Sequence, residues 1–232
     1  MPAIHVLSGG AAQGVVTQLR DGFKIKHGCD IDGTFGAVGM MKEQLLSGAP
    51  CDVLILTDAL MAQLGASGQL VPGSARDLGS VKTGVAVRSG ENAVDVSSPE
   101  AFKAALRTAS GIYCPDPIKS TAGIHMMKVV RELGLEAELA GRLRFFPNGA
   151  AAMQAMAQAN ETGLLGCTQA TEIIFTPGVE LIALLPKAFE LATTYTAAVC
   201  THSGQASLAA GFIALMVSPD ISTLRRDCGF EV

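Results

Sequence analysis

The chain has 232 residues, of which 49% are hydrophobic and 16% charged, with a formal net charge of −4. That balance provides for a substantial core and excludes a disordered chain, and an acidic protein with no basic block is poorly suited to bind nucleic acid. No apolar run reaches the length of a bilayer span, so membrane insertion is not expected. In chain order, short apolar runs alternate with helical patterns, which is the pattern of an α/β fold. Strands are expected at 4–7, 31–35, 53–57, 83–87, 111–114, 143–146, 164–167, 179–184 and 195–199. Helices are expected at 12–27, 38–47, 58–67, 99–109, 121–133, 150–160, 169–174, 204–216 and 219–228. Ser98-Pro99 and Ser218-Pro219 each set a proline at a first helical position, where its missing N–H costs nothing.

Six cysteines stand at 29, 51, 114, 167, 200 and 228. None falls in a CxxC pair, so a zinc site is not expected and no metal or other cofactor is assigned. Cys51, Cys167 and Cys200 lie in or beside apolar strand-like runs, where a free thiol behaves as a small hydrophobe. Met1-Pro2-Ala3 leads directly into the first strand with no charged n-region. Reduced thiols and this N-terminus together point to a cytoplasmic location. A leader removed from the N-terminus would make the location periplasmic.

Four glycine-bearing strand-to-helix junctions carry the functional argument: 6–12 around Ser8-Gly9-Gly10, 34–39 around Ala37-Val38-Gly39, 114–123 around Ser120, and 146–151 around Asn148-Gly149. Each leaves backbone N–H groups at a helix N-terminus, where the helix dipole favours negative charge, and glycine lets a ligand approach the backbone. No linker rich in Pro, Gly or Ser divides the chain. The segments 80–87 and 192–199 are candidates to carry it out of a first lobe and back, as in a hinged cleft. The lobes are expected at 1–82 plus 193–232, and at 83–192.

Together these segments resemble the molybdate-binding branch of the type II periplasmic binding proteins. Leu7-Ser8-Gly9-Gly10-Ala11 is similar to that family's first anion loop, and Asp32-Gly33-Thr34-Phe35-Gly36-Ala37-Val38-Gly39 to its second. Ser47-Gly48-Ala49-Pro50-Cys51-Asp52-Val53 resembles its GAPADVF stretch, followed by Gly68-Gln69-Leu70-Val71. Asp116-Pro117 with Gly123 resembles the second-lobe loop. Leu215-Met216-Val217-Ser218-Pro219 and Cys228-Gly229-Phe230 resemble the C-terminal helix pair. The resemblance implies a two-lobed α/β fold with a hinged interlobe cleft, a small anionic ligand and, if the protein is exported, an ABC-transporter permease as partner. Two departures bear on the ligand. Where the molybdate binders carry a serine in the second loop, this chain has Val38. The second-lobe tyrosine that helps hold molybdate has no counterpart near Cys167-Thr168-Gln169. Thr194-Tyr195-Thr196 is similar to a sub-branch that includes aconitate isomerase, an enzyme on the same fold.

The expected ligand-binding residues are Ser8, Gly9, Gly10, Ala37, Val38, Gly39, Ser120 and Thr168, with Tyr195 near the hinge. Ser8 is also a candidate helix cap, and Thr168 likewise. Val38 offers an apolar wall and no hydroxyl, which suits a carboxylate with a carbon skeleton better than a tetrahedral oxyanion. Two functions follow. One is a binding protein for a small anion, with a carboxylate favoured over molybdate. The other is a cytosolic isomerase of a small polycarboxylate, which needs a base within reach of a carbon acid. His125 and Tyr195 are the catalytic candidates, with Cys114 beside them. Asp52 is expected to be structural.

Overall fold

A computed structural model describes residues 2–232. The chain forms two compact units, one of residues up to Val81 together with Thr193–Val232, the other Lys82–Ala192.

The first unit begins with β1 (Ala3–Gly9), a 3-10 turn (Gly10–Ala12) and α1 (Gln13–His27). Val15, Val16, Leu19 and Phe23 recur at helical spacing and are buried, so one stripe of α1 faces the core. Gly28 ends the helix in the left-handed region, with φ 61°, where glycine has no β-carbon to strain. There follow β2 (Asp30–Gly36), α2 (Val38–Leu46), β3 (Val53–Thr57) and α3 (Asp58–Ala66). The unit is completed by the first part of β4 (Arg76–Arg88), by nearly all of β9 (Ala192–Val199), and by α9 (Ala206–Val217) and α10 (Ser222–Asp227). Its sheet runs in the order β2-β1-β3-β9. β1 is parallel to β2 and β3, and β9 runs antiparallel to β3. All five residues of β3 are buried, as expected of a strand flanked on both edges and covered on both faces. Asp52 anchors its start. One carboxylate oxygen accepts from the His5 N–H at 2.8 Å and the other from the Ser203 hydroxyl at 2.6 Å, so the expected structural role is the observed one.

The second unit contains the rest of β4, then α4 (Pro99–Thr108), β5 (Gly111–Pro115), α5 (Thr121–Glu132), α6 (Glu136–Leu139), β6 (Leu143–Phe146), α7 (Gly149–Gln158), β7 (Leu164–Gln169), α8 (Ala170–Phe175) and β8 (Val179–Leu184). Its sheet is ordered β8-β4-β7-β5-β6. β5 is parallel to β6 and β7, while β4 is antiparallel to β7 and β8. One core, with Phe102, Leu106, Ile112, Met126 and Val130, lies under α4 and α5. A second, with Tyr113, Met153, Met156 and Ile173, lies under α7 and α8. Ser98 caps α4 by accepting from the Ala101 N–H, and Pro99 takes the first helical position.

Some boundaries differ from the expectation. The strand expected at 83–87 is the middle of the thirteen-residue β4. The helix expected at 219–228 is a proline-led 3-10 turn followed by the short α10. Gln169 belongs to β7 rather than to the helix after it. α6 was not anticipated, because four residues are too few to show a helical period. All six cysteines are free thiols.

Candidate functional site

In the first unit the C-terminal ends of β1, β2 and β3 lie side by side, the edge of an open α/β sheet where ligands gather. Because β9 is antiparallel, Tyr195 near its start sits at this same edge, opposite Thr57. Ser8 is buried, and its hydroxyl donates to the Gly9 carbonyl at 2.8 Å. The hydroxyl caps no helix, since neither the 3-10 turn nor α1 has a side-chain cap. A β-carbon at Gly9 would stand 2.8 Å from Val38 Cγ1 and 2.9 Å from Tyr195 Cε1. Gly9 is therefore required by close packing, and the unit brings the Ser8-Gly9-Gly10 loop, Val38 and Tyr195 together. Val38 is 7% exposed and forms part of the core. Ala37 precedes α2 with no side-chain cap, so the first N–H groups of that nine-residue helix keep their capacity for an acceptor. Tyr195 is buried edge-on to Phe230, with ring centroids 6.4 Å apart.

In the second unit β5 leads through a tight loop into α5. The Asp116 carboxylate accepts from the Ile118 and Lys119 N–H groups at 2.7 and 2.8 Å, and so holds the loop as an Asx turn. Gly123 lets α5 pack directly on the end of β5, since a β-carbon there would lie 2.5 Å from the Pro115 carbonyl oxygen. Ser120 is the N-cap residue, yet its side chain makes no cap hydrogen bond. His125 lies one turn into α5. Its Nε2 is 2.7 Å from the Phe189 carbonyl, and because a carbonyl only accepts, that nitrogen carries the proton. His125 thus ties α5 to the 3-10 turn Lys187–Phe189.

The fourth junction is occupied by the protein itself. Glu172, buried in α8, brings its carboxylate to the N-terminus of α7. It accepts from the backbone N–H groups of Gly149 and Ala150, from that of Gln169, and from the Thr168 hydroxyl at 2.6 Å. Burial raises the Glu172 carboxyl above its ordinary range, and these four donors offset part of that rise. A β-carbon at Gly149 would overlap both Glu172 Oε2 and Thr168 Oγ1. Thr168 therefore spends its proton on Glu172. The hydroxyl expected to serve a ligand is engaged here with the buried Glu172 side chain. The junction at 146–151 offers no anion site of its own. Among the described residues no group of three or more His, Cys, Asp or Glu side chains is placed to hold a metal ion.

The model of the bacterial extracellular solute-binding protein family matches residues 4–231. The chain belongs to that family. An aconitate isomerase from a Pseudomonas species is 25% identical over 237 residues, covering 98% of this chain and 87% of that protein. Among solved structures, the periplasmic molybdate-binding protein of Azotobacter vinelandii superposes with a TM-score of 0.82 at 20% identity, covering 99% of each chain. The sulfate-binding protein SubI of Mycobacterium tuberculosis H37Rv gives 0.76 at 15% identity, covering 99% of this chain and 86% of that one. These likenesses show the α/β fold of periplasmic binding proteins. As a solute-binding family member the chain presents two uncapped helix ends at predicted anion junctions, α2 in the first unit and α5 in the second. Sequence reasoning missed Glu172. Its signal was present: a lone carboxylate inside the apolar run Ala170–Phe175, four residues after Thr168 and destined for burial.

Proposed function

We propose that this solute-binding protein takes a small organic carboxylate rather than molybdate. The observation that carries the reading is Val38. It stands at the first helical position of α2, packed against the Gly9 backbone, and it presents methyl groups where a tetrahedral oxyanion needs a hydroxyl donor. Ser8, Gly9, Gly10, Ala37 and Gly39 in the first unit, and Ser120 in the second, are proposed as ligand contacts. An ABC-transporter permease is the proposed partner, consistent with the family's extracellular description. Calorimetric titration with citrate, aconitate isomers, tricarballylate, malate and succinate against molybdate, tungstate and sulfate tests the proposal. Tight binding of molybdate with no response to any carboxylate overturns it.

A second reading, isomerisation of a polycarboxylate in the cytoplasm, is favoured by the aconitate isomerase relative. In such a reaction a proton leaves an allylic carbon to a base and returns at the far end of the three-carbon allyl system while the double bond shifts, with no net oxidation. Tyr195 and the His125 imidazole are the proposed proton-handling groups. Proton NMR of aconitate with the protein in deuterated water tests this reading. Absence of both deuterium incorporation and a second double-bond isomer refutes it.

A further inference from the structure

The second unit buries polar side-chain atoms that have nothing to bond. Both amide atoms of Gln169 and the hydroxyls of Thr83 and Thr171 are inaccessible and lack any hydrogen-bond partner. The three residues are 2%, 1% and 3% exposed. Native proteins pair nearly all such groups, so these unpaired ones call for an explanation. Thr83 on β4 and Gln169 on β7 are directly opposed in the antiparallel register, and their side chains therefore share one face of the sheet. By alternation that face also carries Val85 and Val87 of β4 and Leu165 and Cys167 of β7. These four belong to the core that includes Met126 and Val130 of α5. The row is apolar until it reaches Thr83 and Gln169, at the C-terminal end of β7. Continuing the register Tyr113↔Gly166 by two residues brings the adjacent Thr168 level with Pro115, where the loop to the uncapped end of α5 departs.

We propose that Gln169, with Thr83, is a ligand-recognition residue of the second unit and that it selects hydroxycarboxylates. This rests on the carboxylate reading above. The amide nitrogen and the threonine hydroxyl donate to ligand oxygens. The amide oxygen needs a donor in return. A ligand hydroxyl supplies that donor, whereas a metal oxyanion or a fully ionised plain polycarboxylate offers acceptors only and leaves the oxygen unpaired. A site built to hydrogen-bond a substrate hydroxyl rejects the analogue that lacks it.

The test compares ligand pairs that differ by one hydroxyl, citrate with tricarballylate and malate with succinate, by calorimetry on the wild-type protein, Gln169→Leu and Thr83→Val. The wild type is expected to prefer the hydroxylated member of at least one pair by tenfold or more. Each variant should lose that preference while its ligand-free melting temperature holds or rises, because an apolar side chain replaces an unpaired buried one. Equal affinity within both pairs for the wild type overturns the hydroxyl assignment and leaves carboxylate binding standing. Binding of molybdate alone overturns the carboxylate reading, and this assignment with it. Unchanged preference in both variants, or a large fall in melting temperature in both, shows that the pair serves the fold rather than the ligand and overturns the assignment.

Discussion

Replacing Gly149 by alanine tests whether Glu172 really occupies the N-terminus of α7. The added methyl would stand 2.5 Å from Glu172 Cδ and overlap the oxygens of both Glu172 and Thr168, inside the closest approach that β-carbons make. The carboxylate has to withdraw, and with it go one or two of its bonds to the Thr168 hydroxyl and the Gly149 and Ala150 N–H groups. A hydrogen bond to a charged group is worth about 1.5–3 kcal/mol, and removing a glycine returns about 0.4–1 kcal/mol through the unfolded chain. The net loss is about 0.5–5.5 kcal/mol, or about 1–20 °C in Tm for a chain of this size. Urea unfolding at neutral pH measures it, with Glu172→Ala and the double variant completing a cycle. Because both changes strike one bonded network, their effects should be clearly less than additive. A Gly149→Ala protein as stable as the wild type, or strict additivity in the cycle, would refute the placement of Glu172.

Other consequences are open to direct measurement. Val38→Ser restores a hydroxyl at the start of α2 and should strengthen molybdate binding by about 10- to 150-fold, the value of one hydrogen bond to a charged ligand; calorimetry that finds no gain removes Val38 from the site. Glu172, with its carboxyl raised above the ordinary 4.5 by burial, contributes stability that is complete below that pH and is lost as pH rises through the folded value; Glu172→Gln should flatten this part of the stability profile in chemical unfolding. Asp30 works in the opposite sense. Its bonds to Arg20 and Lys24 hold it well below the ordinary 3.8, so the stability it adds is present above that pH and lost as pH falls through the folded value, and Asp30→Asn should remove that acid-side loss. Asp52→Ala leaves the His5 N–H and the Ser203 hydroxyl without their acceptor and should cost about 1–3 kcal/mol in urea unfolding.

Much of the fold could be read from the sequence because its units are repetitive and strongly patterned. The fully buried β3 and the striped α1 announce themselves by apolar runs and by period. The candidate site was readable only as far as local chemistry reaches. The Ser8, Val38 and Tyr195 neighbourhood rests on strand order, and the glycine at 9 hinted at close packing without naming its partners. The Glu172 plug lay beyond local reading. It joins residues 149, 168 and 172, and only the pairing of β6 with β5 and of β5 with β7 brings the N-terminus of α7 beside the end of β7. His125 shows the same limit. Its place on a helix was predictable, but its bond to the Phe189 carbonyl, 64 residues away, was not.

The central claim is that this solute-binding protein holds a small organic carboxylate. Sequential calorimetric titration of one sample, first with citrate and then with molybdate, tests it most directly. A saturable citrate isotherm is expected, which molybdate neither displaces nor reproduces on ligand-free protein. A molybdate isotherm on ligand-free protein with no heat from citrate, malate or aconitate would contradict it.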